Sequence, residues 1–194
     1  MADDFQALAR NLIGPLWPWI KERMGALTAA DIPNLPASII TSGILAVARG
    51  GSGVSARPVF FVHKNGTAQT GIVTATHTKV TWPTETLDTG AAFASDRYTP
   101  QTAGTYLIIL SLYWDTIADQ AFMIPEIYRN GSLSIGTPAR ASITGDQGAA
   151  TVAPVSMNGT SDYLEAFAYQ SSGVNKNIGG NATATYFCGA WIAP

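Results

Sequence analysis

Asn-Gly occurs at positions 65–66, 130–131 and 158–159, each time beside runs rich in β-branched and aromatic residues. A two-residue loop between antiparallel strands needs positive φ at its central positions, and Asn followed by Gly reaches that conformation at little steric cost. The flanking runs fit such turns. "PVFFVHKNGT" is an extended run closed by the first pair, and "AFMIPEIYRNGSLSIG" has a run on each side of the second. "ATVAPVSMNGTSDYLEAFAYQSS" repeats the arrangement around the third. Between them, "GIVTATHTKVTW" alternates and "GTYLIILSLYW" is nearly continuous apolar sequence, with "ATATYFCGAWIAP" following at the C-terminal end. Strands at this spacing predict a mainly β chain, with an all-β sandwich over residues 58–194 and no stable helix within it.

Two shorter zones precede the sandwich. In residues 1–30, Phe5, Leu8, Leu12 and Ile13 recur at helical spacing, and Asp3 and Asp4 favour a helix start. Gly14-Pro15 stops or kinks that helix, and Trp17 and Trp19 follow. The piece is too small to bury its own apolar residues, so docking into a larger assembly, or bundling with sister chains, is expected of it ahead of packing against the following domain. In residues 31–57, Pro33 and Pro36 forbid a continuous helix, while Ile32, Leu35, Ile40, Ile44, Leu45 and Val47 form an apolar series. One chain would leave that series in water, whereas three wound about an axis bury it. Gly50, Gly51 and Gly53 supply a flexible joint before the sandwich.

Composition narrows the function classes. Hydrophobic residues make up 46% of the 194 and charged residues only 12%, about half the usual charged share. That balance suits a β-protein that associates with copies of itself. The net charge of −2 and the lack of a basic stripe argue against nucleic acid. No apolar stretch reaches the ~20 residues a helix needs to cross a bilayer, so no membrane insertion is expected, nor is an export signal. The single cysteine, Cys188, rules out an internal disulfide, and its apolar surroundings suggest a buried thiol.

Signals for chemistry are weak. "GGSGVS" lacks the Gly-Lys-Ser/Thr ending of a phosphate loop, and no GxSxG elbow or HExxH pair occurs. His63 and His77 stand about one strand-length apart, too few ligands for a metal site. Asp115 with Asp119, or Asp162 with Glu165, could form an acid pair, but such residues more often cap turns. Glycoside hydrolysis needs two carboxylates across a cleft. An enzyme is therefore not expected, and no cofactor is implied. Four Asn-x-Ser/Thr stretches coincide mostly with the Asn-Gly pairs, so turn chemistry explains them better than glycosylation.

Two stretches resemble known families. "ASIITSGILAVARGGSGVS", residues 37–55, resembles the collar or stem motif of bacteriophage fibre proteins, whose common form reads "ASKITSGTLPVARGGTG". Ile40, Thr41, Ser42, Gly43, Leu45, Val47, Ala48, Arg49, Gly50, Gly51 and Gly53 match. Ile39, Ile44, Ala46 and Ser52 depart, leaving the glycine pattern intact. The later part is similar to the tumour-necrosis-factor-like and complement-type jelly roll, through Tyr98-Thr99-Pro100 with Gly104 and Tyr106, Ile127 with Asn130 and Gly131, and Phe187, Gly189 and Ile192. Its Gly-Asp turn is represented loosely, by Met157, Gly159, Asp162 and Leu164.

The resemblance implies a homotrimeric jelly-roll head on an intertwined stem. It implies a virion fibre that attaches a phage or phage-like particle to a host cell-surface glycan or other receptor. Phe5, Leu8, Leu12, Trp17 and Trp19 would anchor it to other virion proteins, of capsid, tail or baseplate. Ile32, Leu35, Ile40, Ile44, Leu45 and Val47 would form the trimeric stem. Candidate glycan contacts are Trp114, Asp115 and Asp119 in "YWDTIADQ", and Tyr169, Asn175 and Asn177 in "YQSSGVNKN". Burial of Trp114 in the sandwich is the competing expectation. A purely structural decoration or adaptor, and a polysaccharide hydrolase, are the rival functions.

Overall fold

Alternation along the longest strand sets the architecture. β7, Gly104–Ile117, turns Tyr106, Ile108, Leu110, Leu112 and Trp114 to one side and buries all five completely. Leu107, Ile109, Ser111 and Tyr113 lie on the opposite side and stay at least partly exposed. Such a period-two pattern is that of a sheet with one face in a core. The computed structural model describes residues 57–194. The anchor residues Phe5, Leu8, Leu12, Trp17 and Trp19 and the stem residues Ile32, Leu35, Ile40, Ile44, Leu45 and Val47 lie outside the described residues.

The described residues are all strand, turn and loop, in two seven-stranded sheets. In the first sheet β11, Gly145–Met157, runs along one side of β7, and β14, Tyr186–Ala193, along the other. β1, Val59–His63, pairs β14, and β4, Thr84–Asp88, pairs β1. β13, Lys176–Ile178, takes the end of β7 beyond β14 and pairs β2, Gln69–Ile72. In the second sheet β8, Phe122–Arg129, and β12, Leu164–Gln170, are central. β9, Ser132–Gly136, and β10, Ala139–Arg140, pair β8. β3, Thr78–Lys79, and β6, Arg97–Tyr98, pair β12, and β5, Phe93–Ala94, pairs β6.

The core fills the space between the sheets. Phe60 stacks on Tyr98 at 4.0 Å between ring centroids and meets Phe187 edge-on at 5.0 Å. Each such side chain, fully buried, is worth about 1.5–3 kcal/mol. Tyr98 and Tyr106, two of the residues that carried the jelly-roll resemblance, are both fully buried here.

The three Asn-Gly pairs divide. Asn130-Gly131 makes a β8–β9 hairpin, with φ of 55° and 77° and Arg129 opposite Ser132. Asn65-Gly66 turns with φ of 46° and 87° and a Thr67 N–H to Lys64 carbonyl bond of 2.9 Å, but β1 and β2 do not pair with each other. Asn158-Gly159 is no hairpin, contrary to expectation, because β11 belongs to the first sheet and β12 to the second. There the Asn158 Oδ1 accepts from the backbone N–H groups of Thr160, Ser161 and Asp162. The chain crosses between sheets on a side-chain-capped loop.

Candidate functional site

The outer faces of the two sheets differ in chemistry. On the first sheet, register places Leu87, Phe61, Cys188, Ile109 and Val152 opposite one another across β4, β1, β14, β7 and β11. A parallel row holds Val59, Ala190, Leu107 and Pro154. Phe61 also stacks on Tyr186 at 5.5 Å. Leu87 and Val152 are 45% and 55% exposed, an apolar strip across five strands. Isolated surface apolar residues need no explanation, whereas these five line up in one strip. Cys188 was expected as a buried thiol. It is half-buried at the middle of this strip, because inward Phe187 and Gly189 turn it outward, and burial pushes its thiol up.

The second sheet presents a polar, aromatic outer face. Glu165 on β12 accepts from Lys79 Nζ at 2.8 Å and from Arg97 Nη2 at 3.1 Å. Burial opposes its charge, but the two cations prevail and hold its carboxyl below the usual range. Tyr128 and Phe167 stack at 4.0 Å. Beside them a cleft of about 420 Å³ is lined by His77, Phe122, Ile124, Glu126, Pro138 and Tyr169. β8 supplies Phe122, Ile124 and Glu126 as alternating outward residues, and Tyr169 lies opposite Ile124 on β12. His77 arrives just ahead of β3, where the Ala75 N–H to Gln170 carbonyl bond of 2.7 Å ties the preceding turn to the end of β12.

Glu126 is the unusual group of the cleft. It is 2% exposed, and its carboxylate meets the half-exposed His77, with Nδ1 to Oε2 at 2.7 Å. His77 in turn tilts against Tyr169 at 5.2 Å. Opposite Glu126 in the β8–β9 pairing stands Gly136. A Cβ there would come within 3.0 Å of the Glu126 Cγ and 3.1 Å of the Ile124 Cγ2, so glycine keeps this wall open. Burial, reinforced by the Glu126 charge, pushes the neighbouring Tyr128 phenol up.

The six residues expected to touch a glycan do not share one site, although Asp115 and Asn177 pair across β7 and β13. Trp114 is fully buried in the core, so its ring is no surface platform; the apolar alternation of β7 carries it inward. Asp115 faces outward on the first sheet, opposite Asn177 of β13. Burial, then the nearby Asp146 charge, raises the Asp115 carboxyl. Asp119 caps a turn, accepting from the Gln120 N–H at 2.9 Å. Asn175 is exposed in the loop before β13. Only Tyr169 of the six lines the cleft. The acid pairs also dissolve. Asp162 accepts from Arg129, Asn130 and the Asn158 N–H at 2.7, 2.7 and 2.8 Å, while Glu165 is held as above. His77, Phe122, Ile124, Glu126 and Pro138 carried no sequence signal of a shared site. His77 and Glu126 are 49 residues apart, and only strand pairing joins them.

No family model and no curated protein matches the sequence. Among solved structures, murine APRIL at pH 8.5 matches with a TM-score of 0.52 and 10% identity, over 71% of this chain and all of that one. The globular domain of zebrafish complement 1qA protein matches at 0.47 and 12% identity, over 70% and 97% of the two chains. Eiger TNF from S. frugiperda matches at 0.49 and 10%, over 71% and 93%. The likeness to APRIL is one of fold: residues 57–194 form a two-sheet β-sandwich similar to that of APRIL.

Proposed function

We propose that the chain is a fibre subunit of a phage or phage-like particle, whose trimeric head attaches the particle to the host cell surface. The observation that carries this reading is the apolar strip Leu87–Phe61–Cys188–Ile109–Val152 on the outer face of the first sheet. Each sandwich would turn this strip toward a threefold axis, where two sister copies cover it. A closed ring also removes the aggregation hazard of so apolar a face. The collar-type sequence of residues 37–55 supports the fibre, and residues 1–30 would hold it to the virion. Linking three weak sites can raise apparent affinity by ~10²–10⁴, which favours adhesion as the use of such a head. No catalysis is assigned, since the cleft lining holds a single carboxylate and Asp162 and Glu165 are tied up in ion pairs.

Light scattering on the purified chain should give three copies per particle; one copy would reject the assembly. Labelled protein should decorate cells the particle infects. Assembly without any such decoration would leave a structural decoration in its place.

A further inference from the structure

We propose that the cleft on the outer face of β8 and β12 is a binding site for one pyranose ring, the terminal residue of a surface glycan. This deepens the attachment reading and rests on it only for where the ligand comes from. The cleft itself is argued from its own geometry. Its volume of about 420 Å³ lies at the lower end of the range of about 300–1,000 Å³ that ligand pockets span, suiting one ring rather than a chain.

The lining matches the two chemistries of a sugar. A pyranose has a face of polarised C–H groups and a rim of hydroxyls. Tyr169 and the His77 ring offer electron-rich π-faces to the first, and Phe122, Ile124 and Pro138 complete an apolar wall. Glu126 serves the second. A nearly buried carboxylate accepts several hydrogen bonds, yet among the described residues its one side-chain partner is His77. Ligand hydroxyls would donate to it in charge-assisted bonds, which exceed neutral ones in strength. The imidazole is fixed by its Nδ1 contact, which leaves Nε2 for a further hydroxyl.

Two alternatives fit less well. A cationic ligand would suit a buried carboxylate, but the Arg140 guanidinium lies 4.0 Å over the Phe122 ring at the same rim and opposes it. Hydrolysis would need a second carboxylate facing Glu126 across the cleft, and the lining has none.

The full chain is titrated with the methyl glycosides of galactose, glucose, N-acetylglucosamine and rhamnose, with the corresponding free sugars, and with choline. Binding is read by calorimetry and by the Ile124 methyl resonance. At least one methyl glycoside should bind, shifting Ile124, and Glu126→Gln should weaken it by about tenfold or more. Glu126→Gln preserves shape, and His77→Ala removes a half-exposed ring, so thermal melting checks that both fold; His77→Ala should weaken binding as well. Absence of glycoside binding, binding of free sugars or choline alone, or equal binding by Glu126→Gln would each overturn the proposal. Cell attachment that persists when no glycoside binds removes the cleft and spares the attachment reading. Glycoside binding at Ile124 without cell attachment does the reverse.

Discussion

Lys64 is 1% exposed, the only cation among the largest fully buried side chains of the described residues. Its ammonium donates to Gln69 Oε1 at 2.9 Å and lies 5.7 Å from the Trp82 ring centroid, with no carboxylate of the described residues in contact. Burial lowers its pKa from 10.5 to about 8, against the pull of Asp96. The unfolded chain therefore holds more protons between about pH 8 and 10.5, and the Lys64 contribution to stability rises with pH across that window. Tyr98 and Cys188, whose groups burial raises, work in the opposite direction. The parent is thus best compared with Lys64→Met. The variant should melt higher at pH 7, and its advantage should shrink between pH 8 and 10; a constant gap would reject the account. Gly159 is a second point of strain control. With φ of +70° and the Ala103 nitrogen directly in the path of a Cβ, Gly159→Ala should cost about 1–3 kcal/mol in denaturant melts.

At the scale of elements, the Asn-Gly pairs show how far local chemistry reaches. The pattern predicts a turn at each pair, but a turn becomes a hairpin only where its two strands belong to one sheet. Asn130-Gly131 meets that condition and Asn158-Gly159 does not. Gly131→Ala places a Cβ at φ +77° in a hairpin turn and should destabilise by about 1 kcal/mol, read from the urea midpoint. Asp162 links the hairpin to the crossover loop through Asn130 and Asn158, and these hydrogen bonds, with Arg129, lower its pKa. A depressed carboxyl gives stability that is present above its unfolded value and lost as pH falls through the folded one. Asp162→Asn should therefore lower the melting temperature at pH 7 and flatten its fall in acid.

For the whole molecule, the test of assembly is Val152→Asp. Val152 is 55% exposed in the single chain, so the change should leave the protomer's fold within about 0.5 kcal/mol. Buried against a sister chain, the same carboxylate would be unpaired and costly. Light scattering should then move from three copies toward one while circular dichroism stays unchanged. Cys188, at the centre of the same strip, should react with a maleimide faster in that variant than in the parent.

Periodicity and turn chemistry in the sequence determined the sandwich class and the turn positions, because both are local. Composition also made visible the low charge that suits a self-covering surface. Only the tertiary structure decided which apolar residues face inward to the core and which outward to the strip, as for Phe60 and Phe61, because adjacent positions of one strand look alike in sequence. It alone withdrew Trp114 into the core and joined His77 to Glu126, because such contacts are set by which strands pair and which sheet they enter.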